Sequence, residues 1–265
     1  MRATHTRSWQ TCAGIALSAL GFGCTTAPEP ESVWPPADFR VSLQEFAIDT
    51  RDMRVERAFR VRADGLAVFA TISDEIVDTV SGARLPVPGR MCIYRLVPTC
   101  TRALARRLYR SGLLDVDAHQ GEEDEALVGT RLAWTAFAND KVVTSRGRAH
   151  GAVAEALAIL VAHMPAGETL ATPGVEERNV PAVVRGAPAP IDDPAAALVA
   201  LLDLVDGSPK DRELVLDAFA LACSLGRREV ASAMLELWTQ AAPPAANDAA
   251  EGPRLTPEIL GRMLP

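Results

Sequence analysis

Lysine is almost missing from this chain: of 27 basic residues only Lys141 and Lys210 are lysines, and arginine supplies the rest. That bias points to a GC-rich genome rather than to a function. Aromatic residues are scarce as well, at 5% of 265 positions. Sugar sites stack rings on aromatic side chains, so a glycoside-hydrolysing carboxylate pair is disfavoured. There is no basic tract, and 34 acidic residues leave a formal net charge of −7. An acidic chain of this kind is a poor candidate for binding nucleic acid through its phosphates. No Gly-x-x-x-x-Gly-Lys or Gly-x-Gly-x-x-Gly follows a strand-like run, so the usual phosphate cradles are absent.

Catalytic and metal motifs are absent too. No Gly-x-Ser-x-Gly elbow occurs. Beyond His5 the histidines are His119, His150 and His163, so a Ser-His-Asp triad would need assembly from distant positions. His150 sits at a helix start. His163 sits at the end of the same helix, where a positive charge would meet the helix dipole favourably. There is no His-Glu-x-x-His and no paired Cys-x-x-Cys. The run Asp115-Val116-Asp117-Ala118-His119-Gln120 opens like a calcium loop, but an EF-hand needs glycine at its sixth position and glutamate at its twelfth. Gln120 and Ala126 stand there. A solvated acidic loop is the default reading, with weak calcium binding as the alternative. No catalytic, cofactor-binding or metal-binding residue is assigned, no cofactor is expected, and the chain reads as a non-enzyme.

What is present begins at the N-terminus. Met1–Arg7 carries Arg2 and Arg7 and no acid, and an apolar stretch from Cys12 to Phe22 follows. That order is the n-region and h-region of a secretory signal. The stretch is shorter than the roughly 20 apolar residues a stable membrane span needs. Leu20-Gly21-Phe22-Gly23-Cys24 resembles the lipobox of bacterial lipoproteins, although Gly21 stands where that family usually has leucine. The resemblance implies a signal peptide over residues 1–24 whose Cys24 is lipidated and becomes the new N-terminus, and a cell-envelope location facing the periplasm or exterior. Two acyl chains or more exceed what stable membrane attachment requires. The alternative is cleavage after Thr25-Thr26-Ala27 and a soluble secreted form. The mature part would carry a charge of −9, since Arg2 and Arg7 are the only charges before Cys24.

Residues 25–37 read as a disordered tether rich in Pro and Glu. Residues 38–164 alternate strand-like and helix-like patterns. Ala58–Ala63 and Leu66–Ile72 flank Asp64-Gly65, a type I′ hairpin signal. Ser81-Gly82 predicts a second hairpin, from Ile76–Val80 to Arg84–Val87. Strand Cys92–Val97 leads into helix Thr99–Leu113, and Asn139-Asp140 joins two further strands. Helix Ala149–Met164 closes the region. The fold class is α+β: an antiparallel sheet with two helices on one face, followed by a small all-α helical module. Residues 165–192 read as a linker and 241–265 as a mostly disordered tail, with a short terminal helix at Pro257–Leu264.

The module spans 193–240. Asp193-Pro194 and Ser208-Pro209 each read as a helix start, and Gly226 as a helix end. Phe219–Ala231 is similar to the inner half of an ankyrin repeat, without that family's Thr-Pro turn and without a second copy; a plain helical hairpin is the other reading. Cys92 and Cys100 could form a disulfide in an oxidising compartment. A strand followed by a helix, at about 3.3 Å per strand residue, would carry them apart. Cys223 falls on an apolar helix side and reads as core.

One charge pattern remains. Arg102, Arg106 and Arg110 recur every fourth residue, with Arg107 beside them. This stripe is a possible partner-binding face for an acidic envelope protein or an anionic surface, or it could pair with the acidic loop after Leu114. The chain therefore reads as an envelope lipoprotein that binds protein or serves structure. The order of strands and helices is also similar to secreted protease inhibitors such as emfourin, which implies an inhibitor as one alternative. A hydrolase with an unrecognised site is another.

Overall fold

The computed structural model of the chain describes residues 39–49, 52–111, 130–138, 141–146, 158–165, 189–241 and 255–265, together with Pro35, Ala37 and Glu155. The fold is α+β, on one antiparallel sheet. Strands β1 (Arg40–Asp49), β2 (Asp52–Arg62), β3 (Leu66–Val77) and β4 (Arg84–Arg95) form a meander. After β4 comes helix α1 (Pro98–Arg110). Strand β5 (Thr130–Ala138) then pairs with β1 on its free side, and β6 (Lys141–Arg146) pairs with β5. The strand order is β4-β3-β2-β1-β5-β6.

Side-chain alternation gives the sheet two faces of different character. On one face Leu43, Phe59, Phe69 and Cys92 stand in register across β1 to β4. All four are buried. They are covered by Leu104, Ala105 and Leu108 of α1 and by Ala158, Ile159, Leu160 and Met164 of the helical turn at 158–161 and its end. These are the two helices expected on one face. Full burial of a side chain such as Phe59 or Leu104 contributes about 2–3 kcal/mol.

The helical module covers the opposite face. It comprises α2 (Pro194–Gly207), α3 (Arg212–Ser224) and α4 (Arg228–Gln240). Leu66, Val68, Leu85, Val87 and Met91 of the sheet share one core with Leu198, Leu201, Phe219 and Met234. The approach begins at Ile191, whose N–H and C=O both bond Met91, at 2.7 and 3.0 Å. The last residues also return: α5 (Pro257–Arg262), capped by the Thr256 hydroxyl, buries Ile259 and Leu260 in this core. Within the module α3 packs against the sheet, α2 and α4, while α4 packs on α3 and α5.

Three local expectations are corrected. The hairpin at Asp64-Gly65 forms, but with a three-residue loop. Gly65 N–H donates to Arg62 C=O at 3.0 Å and Val61 pairs with Ala67. That loop needs left-handed backbone only at its last residue, where Gly65 has φ +81°. Next, the expected strands Arg84–Val87 and Cys92–Val97 are one strand, which ends at Arg95 and is broken in sequence by Pro88-Gly89. Register shifts opposite, between Ala70 and Asp74, absorb the interruption. A Cβ on Gly89 would come within 2.7 Å of that of Ser73. Finally, α3 starts after Asp211, not Ser208. Asp211 accepts from both Glu213 N–H and Leu214 N–H at 3.2 Å, and Ser208–Lys210 form a turn before it. The carboxylate satisfies two free N–H groups at once, and Arg62 holds it in position. At the other end Arg227 N–H reaches Ala222 C=O and Gly226 N–H reaches Cys223 C=O. This is the Schellman closure that Gly226, at φ +65°, allows.

The Asn139-Asp140 turn, the acidic loop 115–125, the segment 166–188 and residues 242–254 lie outside the described residues. Ala138 pairs with Lys141 across that turn, as a two-residue loop requires.

Candidate functional site

The arginine stripe predicted as a contact face lies on α1. The helix begins with Pro98 at its first position, which fits because a proline lacks an N–H that would go unsatisfied there. Thr101, Leu104, Ala105 and Leu108 form its buried side. At 100° per residue the side opposite them carries Arg102, Arg106 and Arg110, with Arg107 next to them. Arg102, Arg107 and Arg110 are exposed and Arg106 is half-buried. Arg102 to Arg110 spans about 12 Å of helix axis. The helix contains no acid. Among the described residues none of these four guanidiniums makes an ion pair, and only a long contact from Arg102 Nε to Pro98 C=O, 3.4 Å, engages one of them. Arg107 and Arg110 fall in the last turn, where the helix dipole favours positive charge. Tyr109, 46% exposed, lies on the Arg102 side of the same face, and Val97, 57% exposed, stands at its start.

Sequence reasoning missed a second charged region, where α3 meets β2. Across the module-facing side of the sheet, Ile93 of β4 and Val68 of β3 are followed by Arg60 of β2 and Ser42 of β1. The face turns from apolar to charged between β3 and β2. Asp217, one turn beyond Glu213 on α3, pairs with Arg60. Glu213 Oε2 lies 3.8 Å from the same guanidinium. Next along β2, Arg62 reaches Asp211 at 2.9 Å and Ser208 Oγ at 3.1 Å. Arg60 and Asp217 are 14% and 15% exposed in their side chains. Burial works against the Arg60 charge, but the carboxylates of Asp217 and Glu213 reverse that and raise it above its ordinary value. Burial pushes the Asp217 carboxyl up, and Arg60 offsets part of the rise. The signal for this clasp was the period-two repeat Arg60–Arg62 in a strand between two covered faces.

A cleft of about 670 Å³ opens beside the clasp, between Phe39, Arg40 and Arg62 of the sheet and Ser208, Lys210 and Asp211 of the α2–α3 turn. None of its described lining residues is a histidine or a cysteine. Its acids are occupied: Asp211 caps α3 and binds Arg62, and Asp64 binds Arg62 and Arg95.

The remaining shifted groups also tie elements together. Asp78, 4% exposed, accepts from Arg262 Nε at 2.9 Å and Nη2 at 2.6 Å and from Ser81, joining the β3–β4 turn to α5. Those bonds hold its carboxyl far below the usual range. Tyr94 Oη donates to His163 C=O at 2.6 Å. His163 is buried, with Nδ1 2.7 Å from Ile159 C=O. Burial lowers its pKa and so works against the favourable charge–dipole contact expected for it. Cys92, Cys100 and Cys223 are free thiols. Burial pushes the Cys223 thiol up to about 11, in keeping with a core role. Among the described residues no group of three His, Cys, Asp or Glu is arranged to hold a metal ion. Cys24, His119 and His150 lie outside the described residues.

No protein-family model matches the chain, and no curated protein matches it either.

Proposed function

We propose that this chain is a cell-envelope lipoprotein, anchored through Cys24, whose sheet-and-helix domain acts as a non-enzymatic binding module. In this reading the arginine face of α1 is the contact surface for an anionic partner in the envelope. One observation carries it: four arginines share a helix without acids and make no ion pair among the described residues, in a chain of net charge −7. Asp78, Arg60, Asp217 and His163 are all engaged in holding elements together. No helix among the described residues is long and apolar enough to cross a membrane; in this reading the lipid on Cys24 holds the chain at the membrane. The test is metabolic palmitate labelling and membrane fractionation of the wild-type chain and of Cys24→Ala, with and without globomycin. The reading expects label and membrane retention in the wild type alone. An unlabelled wild-type chain in the soluble fraction would replace the anchor with a secreted form.

A further inference from the structure

The charged face of α1 is a straight row rather than a pocket. Arg102, Arg106 and Arg110 stand one turn apart, Arg107 flanks them, and Tyr109 and Val97 expose apolar surface beside the row. A protein partner that reads arginine by paired carboxylate bonds gains from guanidiniums fixed in a fork by neighbours. Among the described residues no acceptor apart from Pro98 C=O, at 3.4 Å, orients any of these four. A row of unfixed charges with an amphipathic ring at its edge suits a flat anionic surface, where Tyr settles at headgroup level and Arg heads reach phosphate.

The rest of the molecule sharpens the orientation. The chain as a whole is acidic and is repelled by an anionic bilayer, which favours approach through the acid-free face of α1.

We infer that α1 lays its Arg102–Arg106–Arg110 face on anionic phospholipid headgroups and so orients the domain against the bilayer. This rests on the proposed role of the arginine face as a contact surface. A lipid on Cys24 would keep the protein at the membrane. A weak surface contact then suffices, because the effective concentration is high. Each arginine near an anionic surface contributes about a fivefold gain in partition, and three together about a hundredfold.

The experiment is flotation of the full chain carrying Cys24→Ala with vesicles of phosphatidylcholine, with and without phosphatidylglycerol, at low and high salt. The expected result is a phosphatidylglycerol-dependent partition that salt removes. The triple change Arg102→Gln/Arg106→Gln/Arg110→Gln should lower it about a hundredfold, the single Arg110→Gln about fivefold, and the triple Arg→Lys variant should retain it. Arg227→Gln, on an exposed turn elsewhere, should change nothing. Circular dichroism melts check that each variant is folded, and the single variant carries the test if the triple is not. Equal partition on the two vesicle types, or unchanged binding by the Gln variants, overturns the inference. Loss in the Lys variant as large as in the Gln variant also overturns it, since that marks paired carboxylate recognition by an acidic protein. Failure of the anchor would show separately, as missing palmitate on the wild-type chain, and leaves the vesicle result standing.

Discussion

Removing Arg60 should destabilise the protein far more than removing Asp217, and removing both should cost little. Arg60 and Asp217 are almost enclosed between β2 and α3. Arg60→Met strands the Asp217 carboxylate, which has Arg60 as its ion-pair partner. Breaking one side of a buried pair costs about 3–5 kcal/mol. The carboxyl can escape by taking a proton, and that sets a ceiling. From its ordinary value of 3.8, protonation costs about 4 kcal/mol near pH 7 and about 1.5 kcal/mol near pH 5. The converse change, Asp217→Leu, leaves Arg60 with Glu213 at 3.8 Å, itself 40% exposed and hydrated, so the loss should be nearer 2 kcal/mol. The double variant Arg60→Met/Asp217→Leu exchanges an ion pair for apolar contact and should lie between no change and a gain of about 1–4 kcal/mol. The pH signature follows from linkage. With Arg60 gone, burial and the Asp211 charge act on Asp217 unopposed and its folded pKa rises further above the unfolded one. Such a group favours the fold below the unfolded value and loses that contribution as pH rises through the folded value. The Arg60→Met deficit should therefore be largest at neutral pH and shrink on mild acidification. Urea unfolding of the wild type, both single variants and the double variant, near pH 7 and near pH 5, measures it through the midpoint at constant slope. A deficit below about 1 kcal/mol at neutral pH would refute the reasoning. So would a deficit equal at both pH values, or a double variant as unstable as Arg60→Met.

Three further outcomes are expected. Gly65→Ala puts a Cβ at 2.5 Å from Leu96 C=O on a residue with φ +81°, so thermal unfolding should show a loss of about 2 kcal/mol or more. The Asp78–Arg262 contact should weaken on acidification. Arg262 holds the Asp78 carboxyl low, so its contribution is present above the ordinary carboxylate value and is lost as pH falls through the folded one. Protection of the amides across Pro257–Arg262, relative to intrinsic exchange at the same pH, should fall at low pH in the wild type, and already at neutral pH in Arg262→Ala. Cys223, pushed up to about 11, should resist alkylation in the folded protein near pH 8, while half-exposed Cys100 labels first; mass spectrometry of timed alkylation reads the order.

Much of the fold was legible because local rules decide it. Period-two runs with Gly65 and Gly82 marked the hairpins, and Asp193-Pro194 and Gly226 marked helix ends, since caps and left-handed residues depend on a few neighbouring atoms. The errors came where a distant partner entered. Ser208-Pro209 is an adequate helix start by itself, but Arg62, far away in sequence, holds Asp211 in the capping position. His163 looked like a charge at a helix end until Tyr94 and the surrounding core enclosed it.

The arginine stripe of α1 was determined by sequence alone. Helical spacing places residues four apart on one side, and the apolar residues between them choose the side that is buried. The export-signal reading of the N-terminus and the lipobox resemblance at Cys24 rest on linear pattern alone, and Cys24 lies outside the described residues. Tertiary structure decided what covers the second face of the sheet. Segment 193–240 looked like a separate module because its helices are complete in themselves, with their own caps and stripes. Yet Val68, Leu85 and Met91 offer a second apolar face, and a sheet with two apolar faces needs a layer on each. Which helices supply that layer, and that Arg60 and Arg62 meet carboxylates at its border, depends on contacts across some 150 residues of chain. Sequence spacing carries no record of such distances.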